Sequence, residues 1–316
     1  MHRAIQILLA AASSLLLTSC GPGSQVAGIE GTGAPSPVTA SGRVTGFGSI
    51  FVNGVEFTTT GAQIQIDGQP GAESQLAIGE VVTVRGTLNP NNTTGTAAQV
   101  TFLGNVLGPV AQVDVTTDTF VALGQTVLVT ANTVFDPNIA PQQISGIKTG
   151  DSYEVSGFPD SSGQIVASRI QVAATGSALR VEGAMQGLNA STTIFQINAL
   201  TIDYSAATVH GTLANGSLVD VEGSSLNASG ALSATTVTVL PPSGGVPGSR
   251  GEVEGIITSF NSVSDFTVNG VHVTTNSNTL FQLNGIALGV DVRVEVEGSY
   301  DSSGTLVATS VEAGDT

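Results

Sequence analysis

The sequence predicts an all-β protein built from four tandem units, each of them a small five-stranded barrel. Three observations predict this fold. A strand-like segment that ends on Gly appears four times, a turn signal precedes each copy, and the 316-residue chain contains 40 Gly and 12 Pro. Repetition of this kind is typical of arrays of similar domains. Because 41% of the residues are hydrophobic and only 10% are charged, we expect most of the chain to fold.

The strand-like segments set the number of units at four. Their closing glycines lie 71, 66 and 75 residues apart. The segments cover residues 79–86, 150–157, 216–223 and 291–298. Upstream of each lies a two-residue turn signal between apolar residues, in order Asn53-Gly54, Leu123-Gly124, Asn198-Ala199 and Asn269-Gly270. Asn-Gly favours a type I′ hairpin turn, because both central residues of that turn need positive φ. We therefore expect a hairpin between the second and third strands of each unit.

Each unit is predicted to contain three strands, a connecting segment, and two more strands joined by a short loop. Five strands at this spacing fit a small barrel better than a sandwich, which usually needs about seven strands and 100 residues. The connection before the fourth strand contains Leu76-Ala77-Ile78-Gly79 in the first unit and Ile147-Lys148-Thr149-Gly150 in the second. A helical turn occupies this place in an OB-fold, so the units are predicted to be OB-like barrels.

The predicted boundaries follow from these elements. A signal peptide covers residues 1–19 and a lipidated Cys with a flexible, Gly- and Pro-rich tether covers 20–40. The four barrels are predicted at 41–103, 104–173, 179–240 and 250–313, with a Pro/Gly linker at 241–249. We expect the first two units to pack together, because the segment between them, Phe102 to Leu107, is short and apolar. The 241–249 linker has the composition of an exposed segment.

The stretch from Val44 to Phe57, followed by Gly79 to Gly86, resembles the bacterial domain-of-unknown-function 5666 family. The resemblance repeats four times and covers nearly all of residues 41–313. The second and third units depart from the pattern at their turns, which read Leu123-Gly124 and Asn198-Ala199. The resemblance implies a secreted or cell-envelope β-domain. It implies no particular activity and no catalytic residues.

The N-terminus has the features of a bacterial lipoprotein signal. A cationic start, Met1-His2-Arg3, precedes an apolar run from Ala4 to Leu17, and Leu17-Thr18-Ser19-Cys20 resembles a lipobox. We expect Cys20 to be lipidated and to become the mature N-terminus. The alternative, an uncleaved membrane helix, would need about 20 apolar residues. In proteins that resemble this one, an Asp directly after the Cys often means retention in the inner membrane. Because Gly21 follows the Cys here, the expected location is the outer membrane, on its periplasmic or surface face.

Charge and composition exclude several kinds of partner. The formal net charge is −16, and an acidic surface repels the phosphate backbone, so no nucleic acid is expected as a partner. With one Cys and three His, the chain lacks the ligand sets of structural zinc or redox sites. We therefore expect no cofactor and no metal.

Candidate catalytic side chains are few and scattered. His210 and His272 fall at positions that do not match between units, so both are expected to be structural. A second set comprises carboxylates that alternate with Val on the predicted fourth strands: Asp220, Glu222, Glu295 and Glu297. Alternation with period two predicts that they face solvent and protect the sheet from edge pairing.

A recurrent polar loop joins the fourth and fifth strands. It reads Asp160-Ser161-Ser162-Gly163, Asn227-Ala228-Ser229-Gly230 and Asp301-Ser302-Ser303-Gly304 in the last three units. Calcium loops supply six to eight oxygens, more than this loop offers. We expect a turn in which Asp or Asn accepts hydrogen bonds from its own backbone and Gly supplies positive φ.

Two non-enzymatic functions are consistent with these features. The first is a monomeric, membrane-anchored structural or interaction module that contacts an unknown protein or envelope polymer. The alternative is an OB-type module that binds an oligosaccharide or small ligand. Such faces use aromatic stacking platforms, but Phe120, Phe195 and Phe266 share a strand position that indicates the core. The first function is therefore expected, and an enzyme is the least expected.

Overall fold

Short strands with alternating burial make up nearly all the regular structure of residues 34–314, which are the residues that the computed structural model describes. The predicted signal peptide and Cys20 lie outside these residues. Within the described residues, no helix is long and apolar enough to cross a membrane. The predicted all-β class is confirmed.

The first unit begins earlier than expected, because its first strand already starts in the segment predicted as tether. Its elements are β1 (Ser36–Gly46), β2 (Ile50–Val52), β3 (Val55–Thr58), β4 (Gln63–Ile66), β5 (Gln69–Pro70), a 3₁₀ helix (Glu73–Gln75), β6 (Val81–Leu88) and β7 (Thr94–Phe102). The second unit contains β8 (Val106–Asp114), β9 (Thr119–Ala122), β10 (Gln125–Leu128), β11 (Val134–Phe135), a 3₁₀ helix (Ile144–Gly146), β12 (Ser152–Pro159) and β13 (Ile165–Val172). Both 3₁₀ helices lie in the connection before the fourth strand, directly before the residues 76–79 and 147–150 at which a helical turn was predicted.

The third and fourth units repeat this order of strands. The third contains β14 (Leu179–Asn189), β15 (Ile194–Ile197), β16 (Leu200–Asp203), β17 (Thr208–His210), β18 (Leu218–Leu226) and β19 (Leu232–Val239). The fourth contains β20 (Arg250–Ser262), β21 (Asp265–Val268), β22 (Val271–Thr274), β23 (Leu280–Gln282), β24 (Arg293–Tyr300) and β25 (Leu306–Ala313).

Every unit closes into a five-stranded barrel with the strand order of an OB-fold. In the first unit, β1 pairs antiparallel with β2 and β6, β2 with β3, and β6 with β7. The parallel pairing of β3 with β7 closes the ring. The corresponding parallel pairs are β10–β13, β16–β19 and β22–β25. The prediction of OB-like barrels is confirmed.

The hairpin turns follow the prediction at three of the four positions. Positive φ occurs at both central residues of Asn53-Gly54 (50° and 72°), Leu123-Gly124 (46° and 69°) and Asn269-Gly270 (46° and 77°). In the third unit only Asn198 has positive φ, at 50°. Ala has a Cβ that disfavours this region, so the turn there differs from type I′.

The apolar face of each strand fills the barrel interior. Phe120, Phe195 and Phe266 are at most 1% exposed, as their shared position predicted, and Ile50 holds that position in the first unit. The first and fourth barrels have separate cores, whereas those of the second and third are continuous. That continuity arises at the joint, where Val106 of β8 pairs with Val181 of β14.

The units join in a different pattern from the one expected. The first and fourth units share one sheet, because β1 pairs parallel with β20 from Val38↔Arg250 to Ser41↔Val253. The second and third share another through β8 and β14. The first and second units also touch, since the Val81 amide donates to Ser156 Oγ at 2.8 Å. Contacts therefore extend well beyond the predicted joint at 102–107.

The 241–249 segment is partly packed rather than an exposed linker throughout. Ser249 is 3% exposed. The Tyr300 amide donates to Ser249 O at 2.9 Å, and the Gly248 amide donates to Tyr300 O at 2.7 Å. These bonds attach the end of the segment to β24. Its start, Pro241 to Ser243, lines a cavity between the units.

Candidate functional site

A cavity with two adjoining lobes lies where the units meet. The first lobe has a volume of about 560 Å³ and the second about 650 Å³. We call the two together the central cavity. Residues that line both lobes come from the second, third and fourth units and from the 241–249 segment; they include Asn105, Glu182, Leu218, Pro241, Pro242 and Thr258. Strands of the first unit add Thr39 and Thr83 to the first lobe.

The outer face of β14 supplies the side chains that define this cavity. Val181 and Met185 point into the barrel and are fully buried. The residues between them, Glu182 and Ala184, lie on the opposite face and line the second lobe. Because Ala184 is small, this face leaves room that a larger side chain would fill. The cavity therefore follows from strand alternation combined with a small residue.

Glu182 is the one ionisable residue that lines both lobes. Burial raises its pKa to about 7, the nearby charge of Asp220 adds to this, and Arg180 acts in the opposite direction. No group of the described residues donates a hydrogen bond to its carboxylate. Near neutral pH this side chain therefore exchanges between a neutral acid and a carboxylate without a donor in the protein.

Asn105 lies beside Glu182 at the joint of the second and third units. The Glu182 amide donates to Asn105 O at 2.8 Å. The Asn105 side chain accepts from the Gly157 amide through Oδ1 at 2.7 Å. Within the part of the chain that the structure describes, its Nδ2 donates no hydrogen bond. The central cavity thus combines a carboxyl group with a neighbouring amide donor.

A charged cluster adjoins the cavity at the meeting of the first three units. Arg180 donates to both oxygens of Asp220, from Nε at 2.6 Å and from Nη2 at 3.1 Å, and it also contacts Asp67 of the first unit. Glu154 of the second unit is close enough that burial and the charge of Asp67 raise its pKa to about 8. One guanidinium therefore neutralises more than one carboxylate at this joint.

The expectation that the strand carboxylates face solvent is wrong for Asp220, which is 8% exposed. Glu295 is partly exposed, and burial, followed by the charges of Glu254 and Glu297, raises its pKa to about 7. Alternation does place these residues outside their own barrel. That outer face, however, packs against neighbouring units, and Glu254 of β20 binds Arg43 of the first unit. Glu222 and Glu297 are partly exposed.

Comparison with protein families identifies the repeated unit. A family model described as a domain of unknown function (DUF5666) matches residues 37–101, 108–171, 182–238 and 254–312. Each match falls within one of the four barrels. The chain belongs to the DUF5666 family. No curated protein matches the chain.

The polar loops between the last two strands of the DUF5666 units are turns, as predicted. Asp301 Oδ1 accepts hydrogen bonds from the Ser303 amide (2.8 Å), Ser303 Oγ (2.6 Å) and the Thr305 amide (3.0 Å). Asp160 and Asn227 bind their own loops in the same way. Within the described residues, no group of three or more His, Cys, Asp or Glu side chains could hold a metal ion. In each loop, Oδ1 of the Asp or Asn is occupied by backbone and hydroxyl donors.

The two histidines of the described DUF5666 units lie apart from the central cavity. His210 is exposed at the end of β17. His272 on β22 has a partner that the linear sequence does not show: its Nε2 lies 2.8 Å from Asp265 Oδ1 on the adjacent strand β21. Its Nδ1 lies 3.2 Å from Thr305 Oγ1. Both His272 and Asp265 are about half exposed, with side-chain exposures of 52% and 44%.

Sequence reasoning missed Glu182, Asn105 and Arg180. Each looks like an ordinary residue in or beside a strand, and none belongs to a known catalytic or binding motif. For Arg180, the signal available in the sequence was the small number of basic residues, since the chain has only 8 Lys and Arg residues. Because Arg is almost never fully buried unless it is paired, these few residues were the candidates for ion pairs between units.

Proposed function

We propose that this DUF5666 protein is a lipid-anchored component of the bacterial cell envelope, held in the outer membrane, that acts by binding rather than by catalysis. The Cys20 lipobox supports the anchor, because acyl chains on that residue would hold the protein at a membrane almost irreversibly. The protein is proposed to act as a monomer, without a cofactor and without a nucleic-acid partner.

The observation that carries the interaction role is the short strand β23 in the fourth unit. It pairs with β25 alone among the described strands, so one edge is open. Its side chains Leu280 and Phe281 are 66% and 39% exposed. An open strand edge with exposed apolar residues favours pairing with another chain. We therefore propose this edge as the contact with a protein partner.

The anchor and the contact can be tested separately. Wild-type protein should partition with membranes and incorporate labelled palmitate, whereas Cys20→Ala should do neither. For the contact, a photo-cross-linker placed at Leu280 should yield a discrete adduct in cells, and Phe281→Asp should abolish it. A cross-linker at Thr117, exposed in the second unit, is the matched control. Equal adducts from both positions would contradict the proposed contact, and unlabelled, soluble wild-type protein would contradict the anchor.

A small-ligand role is the second candidate, and the central cavity favours it. Cavities of about 300–1,000 Å³ lined mainly by apolar side chains with a few polar groups are typical of small-molecule sites. The stacking face expected of a single OB-type barrel plays no part in this candidate. The cavity lies between barrels and depends on their assembly.

A further inference from the structure

The charges of the second lobe are all of one sign. Its lining contains Asp160 and Glu182 but no Lys, Arg or His. Asp160 Oδ1 is engaged in its own turn, accepting from the Ser162 and Gln164 amides at 2.8 and 2.9 Å. Glu182 has no donor in the described residues. A ligand cation is therefore favoured here, and an anion is repelled.

The remaining wall of the second lobe is largely apolar. Ile165, Leu218, Val239 and the Pro241-Pro242 pair line it, and Ala184 leaves it open at one side. Such a wall stabilises a hydrocarbon group by removing it from water. At about 650 Å³ the lobe is large enough for a small molecule rather than for a single ion.

We infer that the second lobe binds a small amphiphilic amine. The ammonium group donates to the Glu182 carboxylate, and the hydrocarbon body lies between Leu218 and the Pro241-Pro242 segment. Asn105, beside Glu182, offers an amide donor to a second polar group of the ligand. This inference rests on the small-ligand role proposed for the central cavity and gives it a ligand class, and it requires neither lipidation of Cys20 nor the open edge of β23.

The protonation state of Glu182 gives the site a pH dependence. Its pKa is raised to about 7, and the charged groups that act on it are Asp220 and Arg180. Above that pH the carboxylate predominates, and a charge-assisted hydrogen bond to an ammonium group is stronger than one to a neutral acid. Amine affinity should therefore rise between pH 6 and pH 8.

The test uses the purified full chain and three probes of matched shape: cyclohexylmethylamine, cyclohexylmethanol and cyclohexanecarboxylate. Isothermal titration calorimetry at pH 8 should show the amine binding at least about tenfold more tightly than the alcohol, and the carboxylate not binding. Glu182→Gln should weaken amine binding about tenfold or more and remove its pH dependence. Glu312→Gln, a control at an exposed position of β25, should change neither.

A second variant tests the site by changing its volume without changing a charge. Ala184→Phe should fill the lobe and abolish binding of both the amine and the alcohol, while Cys20→Ala should leave amine binding unchanged. The full chain and all its variants are measured in the same detergent. Partition of the amine into micelles is therefore the same for each of them and does not affect the ratio of their affinities. The inference is overturned if the amine and alcohol bind equally, if Glu182→Gln binds like the wild type, or if Ala184→Phe retains amine binding.

Discussion

Asn198 donates a hydrogen bond from Nδ2 to Oε1 of Gln125 at 2.7 Å, and this bond joins the turn of the third DUF5666 unit to the third strand of the second. Gln125 Nε2 in turn donates to Leu123 O at 3.0 Å and Ile197 O at 3.1 Å. The two hairpin turns that depart from Asn-Gly are thus the two that pack against each other. Leu123 adopts φ of 46° but is only 3% exposed, so its burial offsets the strain of that conformation.

The Gln125 bridge should contribute measurably to stability. Gln125→Met keeps the volume of this buried side chain but leaves the buried carbonyls of Leu123 and Ile197 without that donor. An unsatisfied buried polar group costs about 1–3 kcal/mol, so the free energy of unfolding should fall by that amount. Denaturant unfolding would measure the change. Gln282→Met, at an exposed position of β23, should stay within about 0.5 kcal/mol of wild type. Equal effects of the two substitutions would contradict the importance of the bridge.

Two equivalent loop glycines allow the same joint to be tested without changing a polar residue. Gly163 and Gly304 have φ of 84° and 83°, so Ala at either position costs about 1–2 kcal/mol in backbone strain. A Cβ at Gly163 would also lie 2.6 Å from Asn198 Oδ1, whereas a Cβ at Gly304 would meet open space. Gly163→Ala should therefore lower the thermal midpoint more than Gly304→Ala. The reverse order would show that the loop does not press on the third unit.

Removal of the Arg180 guanidinium should lower the free energy of unfolding more than either of the substitutions above. Arg180→Met leaves Asp220 and Asp67 without their shared cation at a joint where Arg180 itself is 2% exposed. Breaking one side of a buried ion pair costs about 3–5 kcal/mol. The loss should be largest at pH 8 and smaller at pH 5, where the carboxylates can take up protons. Arg85→Met, at an exposed position of β6, should change the unfolding free energy little. A pH-independent effect of Arg180→Met would argue against uncompensated carboxylates as its cause.

The buried carboxyl groups predict how stability depends on pH. Among the described residues, five glutamates have raised pKa values, about 8 for Glu154 and about 7 for Glu80, Glu182, Glu252 and Glu295. A raised pKa means that the folded protein binds more protons than the unfolded chain. The stability that these groups contribute is therefore present below their ordinary value of 4.5 and is lost as the pH rises through 7.

At low pH other carboxyl groups act in the opposite direction. Hydrogen bonds from Thr116, Ser205 and Ser303 hold the pKa of Asp114, Asp203 and Asp301 below the usual value. The midpoint of thermal unfolding should therefore be highest at about pH 5 and lower at pH 8. Glu252→Gln, at a position 1% exposed, should flatten the decline, and Asp118→Asn, at an exposed turn position, should not. A midpoint that rises from pH 5 to pH 8 would contradict this account.

The barrels could be predicted from the sequence because their signals are local. Asn53-Gly54 needs nothing beyond its own two residues to specify a turn, and Asp160 binds donors within four residues of itself. Alternation likewise placed Phe120 and Phe195 in the cores. These features depend on positions that are adjacent in the chain or on the same strand.

The joints and the central cavity could not be predicted, because they depend on which barrel faces which. Alternation shows that Asp220 and Glu182 lie outside their own barrel, but it does not show what covers that side. The partner of Arg43, Glu254, lies 211 residues away in the chain. No spacing in the sequence indicates that pairing. Residues that contact two units therefore look, in the sequence, like surface residues of a single unit.

The parallel pairing of β1 with β20 has a consequence for how the protein reaches its native state. Linear repeat arrays grow by adding neighbours, so a partial array can already be stable. Here the first strand to be synthesised finds its neighbour from the fourth unit only after some 200 further residues have been made, since Val38 pairs with Arg250. Until then the edge of β1 is available to other chains, and contacts of such long sequence separation form slowly. Synthesis of the chain therefore leaves a period in which a chaperone would protect that edge, and a chain truncated before residue 250 would keep the edge exposed permanently.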